Sequence, residues 1–556
     1  MRAAYRKGLK DAQRAPKQAS WNRLHSAMAS NDVDQFWKSW KTLYAKNKSH
    51  LSPVVDGVSS KEGIAESFRH SFERNARPNN QSKVDEVNSK FTEEYLKMSE
   101  SHAENCTCSS YSFSIENVLD ATFSLKPGKS ADDDEFSAEH FLNAPFHVFV
   151  ILRDLFNAML RHSFVPKQFK FGTIIPIVKD HQGNLGEPNN YRGITISPIA
   201  SKIFEHCLKF VFHDYLSTSS LQFGFKKKSS TSHALYCLKE TVNYYIENGS
   251  RVYCAFLDAS KAFDRLIHSG LFLKLLCRGV PKVFLDLIIF WYQGLSCRVK
   301  WGQAFSQWFE VMAGVRQGGI LSPNFYCIYV DCLIEELEKL QVGCHVLNIF
   351  MAALFYADDM ALLSPSIKGL QVLLDKCSEF CMEWDICLND KKSKAMYFGK
   401  KCLNPSSLML NAKSIDWVDT WRYLGIDLKT GSRFSCSANE RIKKFYRCAN
   451  AIFRIEGWSD DLTMLRLIES HCLPILTYGI EVTHFPDARE RSKLRAAYNS
   501  LFRRIFGYRN YESVTELQLN LARPTWELLL DKFKNNFYSR IASCNATSPV
   551  HVFSIV

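Results

Sequence analysis

What this 556-residue chain lacks narrows its class before any motif is read. It has no long apolar run: Phe284–Tyr292, broken by Asp286, and Val346–Tyr356, broken by Asn348, fall far short of the ~20 residues that span a bilayer. Its opening, Met1-Arg2-Ala3-Ala4-Tyr5-Arg6-Lys7, has no apolar signal core. No membrane partner is expected, and the chain reads as intracellular. Its 18 Cys include no paired C-x2-C set with a downstream His; Cys106 and Cys108 form a C-x-C, and Cys377 and Cys381 lie one helical turn apart. That excludes a structural zinc site and a small disulfide scaffold, and predicts reduced thiols. No repeat recurs at about 20–50 residues. Gly128-Lys129-Ser130 invites a phosphate-loop reading, but Phe123 stands where that loop needs Gly.

What the chain does have is charge, unevenly spread. The 70 Lys+Arg exceed the 57 Asp+Glu, for a formal +13, which points to a polyanionic partner. The excess gathers in residues 1–50, where only Asp11, Asp32 and Asp34 are acidic, and in a run from Arg489 to Arg509. Phe36, Trp37, Trp40, Leu43 and Tyr44 follow helical spacing, for a helix that either packs on the body or meets nucleic acid. The hydrophobic content of 46% predicts folded structure, and the length allows about three or four domains. Residues 74–110 are polar linker or loop. Ser114 caps a helix expected over Ile115–Leu125 and ended by Pro127-Gly128. Beyond 250, Val252–Leu257 reads as strand, Leu271–Arg278 as helix, and Ser322-Pro323 as the start of a helix reaching Lys339. Two short strands around a turn follow over Ala353–Leu363, then a helix over Leu370–Asp385 and a strand over Ala395–Phe398. From about residue 435 the pattern is helical. Strands and helices mix without a βαβ rhythm, so the fold class is α+β.

The chemistry gathers on acids. Phe355-Tyr356-Ala357-Asp358-Asp359-Met360-Ala361 sets two adjacent carboxylates between two apolar strands. Taken alone, this tetrapeptide centre is a solvated turn or a site for a hard divalent cation. A second apolar strand, Val252-Tyr253-Cys254-Ala255-Phe256-Leu257, ends in Asp258. A strand-end acid and a hairpin-tip acid pair can meet at one end of a sheet. Two metal ions there, ~3.5–4 Å apart, support in-line displacement at phosphorus. Asp264, six residues on, lies past the strand and reads as a cap for the next segment.

These residues resemble the reverse transcriptase of non-LTR (LINE-type) retrotransposons, over residues 110–490. In the family's order stand Leu125–Ser130, Ile174–Lys179, Asn190–Ile194, and Gln222-Phe223-Gly224-Phe225 with Ser230-Thr231. Motif A is Asp258–Asp264, motif B Gly314–Pro323 and motif C Tyr356-Ala357-Asp358-Asp359. Leu388-Asn389 with Lys392-Ser393-Lys394 resembles motif D, and Tyr423-Leu424-Gly425 motif E.

The resemblance implies a right-hand polymerase. Its expected layout is a basic extension and linker (1–110), fingers (111–250), palm (251–428, the core spanning 160–428), helical thumb (429–530) and tail (531–556). It implies an RNA-directed DNA polymerase that adds dNTPs to a DNA 3′ end, with an RNA template and a DNA primer or target as partners. Asp258, Asp358 and Asp359, with the main-chain carbonyl of Ala259, would hold two Mg²⁺, Mn²⁺ being the alternative ion. Lys179 and Arg192 would take the triphosphate. Phe263 would exclude a ribose 2′-OH, and Gln317 and Gly318 would flank the incoming base. Lys392 is the candidate general acid for pyrophosphate departure, and Tyr423, Leu424 and Gly425 the primer grip.

Asp132, Glu135 and Lys228 stand where the family often has Gly, so left-handed backbone there would be strained. No nuclease segment is expected, so the chain reads as the polymerase portion of a truncated element. A ribonucleoprotein in nucleus and cytoplasm would be its setting. Two other readings stay open: a catalytically inactive nucleic-acid-binding remnant, and a group II intron maturase-like protein. The oligomeric state, host, template and target are not legible.

Overall fold

A computed structural model describes residues 52–104, 111–259, 262–400, 405–454, 461–485, 487–544 and 548–555, with scattered positions between 23 and 39. The expected helix around Phe36–Tyr44, the Cys106/Cys108 pair and Ser260-Lys261 lie outside the described residues. The chain forms two compact bodies: 52–436 with 538–556, and 437–537 with the residues up to 51.

In chain order the strands are β1 (Phe171–Val178), β2 (Tyr191–Ile196), β3 (Val252–Asp258), β4 (Ser296–Trp301), β5 (Ala304–Phe305) and β6 (Phe309–Glu310). Next come β7 (His345–Val346), β8 (Ile349–Phe350), β9 (Ala353–Tyr356), β10 (Asp359–Ser364) and β11 (Lys394–Phe398). The last are β12 (Leu408–Leu410), β13 (Lys413–Trp417), β14 (Thr420–Tyr423), β15 (Ile426–Lys429) and β16 (Ser435–Cys436). All lie in the first body, which is mixed helix and sheet.

The central sheet runs β12-β13-β11-β3-β10-β9. β3 is buried from Val252 through Leu257, because it has a neighbour on each edge and helices cover the sheet. That is why it reads as an unbroken apolar run rather than an alternating one. Helix Thr231–Glu247 packs on β9, and Ile367–Glu383 on β10. A second sheet joins β1 antiparallel to β2 and parallel to β4. Helix Lys61–Asn75 seats Phe68 on it, with ring centroids 4.8 Å from Tyr191 and 5.1 Å from Trp301.

Residues 74–110, expected as linker or loop, instead hold a helix over Gln81–Glu104, whose polar face is laced by i,i+4 ion pairs such as Lys90–Glu86 and Lys97–Glu93; most other local expectations hold. Ser114 caps a helix over Ile115–Phe123: its Oγ accepts from the Asn117 N–H at 3.2 Å, and Asn117 Oδ1 from the Ser114 N–H at 3.0 Å. Glu135 (φ 63°) and Lys228 (φ 62°) do take left-handed backbone, which costs a non-glycine residue about 1–2 kcal/mol. Asp132 is not among the left-handed residues. It organises its loop by side chain instead, accepting from the N–H of Phe136 at 2.9 Å and of Ile199 at 2.8 Å.

The second body is helical, with Asn439–Phe453, Asp461–His471 and Ala488–Ile505 among its helices. Part of its basic run is spent on its own structure. Arg491 donates to the Phe485 carbonyl at 2.6 Å and Arg503 to that of Glu512 at 2.8 Å, while Arg504 lies 3.8 Å over the Phe453 ring. Among the described residues no helix is long and apolar enough to cross a membrane.

Candidate active site

The site begins with register. β3 and β10 are antiparallel, and their pairing sets Asp258 directly opposite Asp359. β10 folds back on β9 with Tyr356 opposite Asp359, leaving Ala357-Asp358 as the turn. Ala357 carries a positive φ of 58°. Such a turn needs support, and Gln222 supplies it. Its side chain is fully buried; Oε1 accepts from the N–H of Ala357 and of Gly224, each at 2.9 Å, and Nε2 donates to the Ala357 carbonyl at 3.4 Å. The Gln222 backbone bridges to Phe355. A Cβ on Gly224 would fall 2.4 Å from the Ala357 nitrogen, so this approach requires glycine.

Burial and mutual repulsion raise the pKa values of Asp358 and Asp359. Burial pushes Asp358 up, the Asp258 charge adds to this, and Arg192 and Lys392 oppose it. Burial, then Asp358 and Asp258, push Asp359 up to about 6. Lys392 Nζ stands 3.8 Å from Asp258 Oδ2. Its loop docks on the end of β3: the Asn389 N–H donates to the Asp258 carbonyl at 2.8 Å, and Ser393 Oγ accepts from the Asp258 N–H at 3.4 Å.

A cleft of about 840 Å³ collects Asp258, Ala259, Asp358, Lys179, Arg192, Phe263, Gln317, Gly318 and Lys392 along its walls. Lys179 and Arg192 come from the β1–β2 hairpin and its end, where the Lys179 N–H donates to the Asn190 carbonyl at 2.8 Å. Burial, then Arg192 and Lys392, hold the Lys179 ammonium below its ordinary pKa. Lys179 and Arg192 repel one another across the cleft, and a polyphosphate bound there would relieve that. Phe263 stacks on Tyr326 (4.7 Å, 23°) and meets Phe225 edge-on (5.9 Å, 87°), so its ring is fixed. The Thr195 N–H donates to the Gln317 carbonyl at 2.7 Å, and a Cβ on Gly318 (φ 129°) would lie 2.6 Å from the Thr195 oxygen.

Four of the expected residues do not line the cleft. Asp359 stands beside it, and its charge helps raise the Tyr423 phenol, whose pKa burial already lifts. Tyr423 is buried with its ring 4.8 Å from Phe256 of β3, so it anchors the β14–β15 hairpin from within. Leu424 (φ 44°) and Gly425 (φ 80°) form the tip of that hairpin.

Three residues carry more than their sequence suggested. Gln222 belongs to a segment noticed as a motif, but its clamp on the acid turn left no local signal. Asp264, read as a cap, accepts from Gln317 Nε2 at 2.7 Å and so orients that side chain. Glu205, buried and with its pKa raised by burial, accepts from the Leu321 N–H at 2.8 Å at the start of helix Ser322–Lys339.

Among the described residues no three His, Cys, Asp or Glu side chains form a ready metal-binding set. The donors at hand are carboxylate oxygens, two of them destabilised in their charged form. That chemistry suits a hard divalent cation better than a soft one.

A hairpin-tip acid pair facing an acid on the central antiparallel strand, with Lys179 and Arg192 in the same cleft, is an arrangement suited to phosphoryl transfer. Residues 178–428 match the family described as reverse transcriptase (RNA-dependent DNA polymerase). That stretch is a reverse transcriptase domain, and the curated relatives similar to the chain are RNA-directed DNA polymerases of non-LTR retrotransposons. It is 25% identical over 443 residues to "Probable RNA-directed DNA polymerase from transposon BS" of Drosophila melanogaster, covering 77% of this chain and 48% of that one. It is 23% identical over 445 residues to the RNA-directed DNA polymerase from mobile element jockey of Drosophila funebris, covering 77% and 48%. The chain thus spans about half the length of the curated relatives it matches. Telomerase from Candida albicans, solved with a fragment of telomeric RNA, aligns over 90% of this chain and 92% of that one at 11% identity, with a TM-score of 0.39.

Proposed function

We propose that this chain is an RNA-directed DNA polymerase that adds dNTPs to a DNA 3′ end on an RNA template. The observation that carries the reading is the shared cleft: Asp258 and Asp358 line it together with Lys179 and Arg192. Asp258, Asp358 and Asp359, with the Ala259 carbonyl, would hold two Mg²⁺ or Mn²⁺ ions. Bound there, such ions activate an attacking oxygen and balance charge on the leaving group. The chain's own residues supply the rest. Lys179 and Arg192 position the triphosphate and offset its charge, where most catalysis of phosphoryl transfer resides. The fixed Phe263 ring closes the space a 2′-OH would need. Gln317, oriented by Asp264, and the bare backbone at Gly318 shape the base pocket. Lys392, beside Asp258, donates a proton to departing pyrophosphate. Leu424 and Gly425 present the hairpin tip to the primer. The setting would be a ribonucleoprotein of nucleus and cytoplasm.

Primer extension on an RNA template with Mg²⁺, comparing wild type with Asp358→Ala, tests this. Extension that needs dNTPs and vanishes in the variant is expected. Folded wild-type protein that binds RNA/DNA hybrid yet never extends it would sink the polymerase reading and leave an inactive binding remnant.

A further inference from the structure

A second cavity, of about 850 Å³, shares no lining residue with the catalytic cleft. One wall is formed by residues between Ser217 and His233; the other by Arg540, Ser543, Cys544, Ser548 and Val550 of the returning C-terminal segment. We propose that it binds the phosphodiester backbone of a single-stranded nucleic acid. The proposal rests on reading the chain as a polymerase, which supplies such strands.

Charge carries the argument. Lys226, Lys227, Lys228 and Arg540 line the cavity, and none of its described lining residues is Asp or Glu. Lys226 is committed to the carbonyls of Thr218 and Ser219 and fixes the loop. Lys227 and Lys228 are exposed, and the left-handed backbone at Lys228 turns the chain there. Helix Thr231–Glu247 starts at the same wall, with Ser230 and His233 lining it, so the positive end of its dipole adds to the field. Hydroxyls fill much of the remaining lining. That of Ser229 is buried and makes no hydrogen bond among the described residues. Cations, hydroxyls and a helix start are the groups that take phosphate oxygens.

Size selects a strand over a lone ion. The volume is near the top of the roughly 300–1,000 Å³ range of ligand pockets, far more than one phosphate fills. The C-terminal wall is held in place: Tyr236 meets Tyr538 (6.4 Å) and Phe553 (6.1 Å) edge-on, and Val550 and Val552 are buried. Gln222 also lines this cavity, so an occupant would touch the residue that clamps the acid turn.

The test uses the full chain and a single-stranded RNA of about 20 nucleotides, with DNA of the same sequence and inorganic phosphate as parallel arms. Lys227→Ala/Lys228→Ala/Arg540→Ala should bind RNA about tenfold more weakly at about 0.15 M salt, with a log–log salt slope shallower by about two to three. Replacing both lysines by Arg, with Arg540 intact, should keep binding at the wild-type level. Single-nucleotide incorporation on a short preannealed hybrid should not change, which shows that the triple variant folds. Cys544 gives a local readout, because it lines the cavity. RNA should slow its alkylation, followed by peptide mass spectrometry, in wild type and not in the triple variant. Protection by RNA alone makes the strand RNA; equal protection by DNA makes the site blind to the sugar; both support it. Unchanged affinity and slope, or protection by inorganic phosphate but not by either strand, overturns it. The two readings fail separately. A chain that never extends primers refutes the polymerase; one that extends them, but whose triple variant binds RNA like wild type and whose Cys544 is unprotected, refutes this site.

Discussion

Gln222 is the point where one buried side chain should decide the position of the acid turn. Substituting Leu keeps a similar bulk but removes the oxygen that accepts from the Ala357 and Gly224 N–H groups, each at 2.9 Å. Each buried donor left unpaired costs about 1–3 kcal/mol, so Gln222→Leu should lose about 2–6 kcal/mol of stability before relaxation. Relief would come from moving Ala357, whose neighbour is Asp358. A shift of about 1 Å at a reacting centre costs about a hundredfold in rate. Denaturant melts should therefore show the stability loss. Single-nucleotide incorporation, run well below the melting point at saturating dNTP, should show kcat reduced by about ten- to a hundredfold. The dNTP KM should change little, because Lys179 and Arg192 stand on the other sheet. A variant that is less stable yet keeps kcat within about twofold would refute the positioning argument and leave Gln222 as packing.

Three further outcomes follow from the geometry. The Asp359 carboxyl moves from an ordinary 3.8 to about 6 on folding, so the folded chain keeps a proton that the unfolded chain has lost between those values. Stability should fall as pH rises from about 4 to 6 and stay low above, and Asp359→Asn should be the more stable protein at pH 7 without divalent ions, by about 1–2 kcal/mol after allowing for partial exposure. Thermal melts across that range check it, and coincident curves at pH 7 would contradict it. Phe263→Val should admit ribonucleotides in competition assays; unchanged sugar selection removes its role as a gate. Gly318→Ala, whose Cβ meets the Thr195 carbonyl oxygen at 2.6 Å, should raise the dNTP KM more than it lowers kcat, and a wild-type KM would count against the close-approach argument.

Strand ends and the hairpin were legible in the sequence because burial writes itself into composition. An apolar run that stops at Asp258, and two that flank Asp358-Asp359, have few other ways to fold. The left-handed backbone at Glu135 and Lys228 was foreseen only through the resemblance, whose members often carry Gly there, and the same expectation failed at Asp132. The clamp by Gln222 was not legible, because it spans 135 positions and depends on how a loop seats against β9. Asp264 looked like a cap for the same reason: its partner Gln317 is distant in sequence. Tyr423 was expected in the primer grip with Leu424 and Gly425, but its ring turns inward on Phe256, a choice that only packing makes. The returning segment 538–556 carried no signal at all, being short and ordinary in composition until it is seen against helix Thr231–Glu247.

The central place of β3 has a consequence for how the chain is made. Its two partners, β10 and β11, both come later in the sequence. At a synthesis rate of about 5–20 residues per second, β3 waits roughly 5–20 s for the first of them to leave the ribosome. Through that interval an apolar strand has both hydrogen-bonding edges open, the state most prone to pair with the wrong chain. Asp258 has no acid opposite it until β10 arrives. The emerging polypeptide is thus catalytically silent, and its most vulnerable stretch is the one on which the finished acid cluster depends.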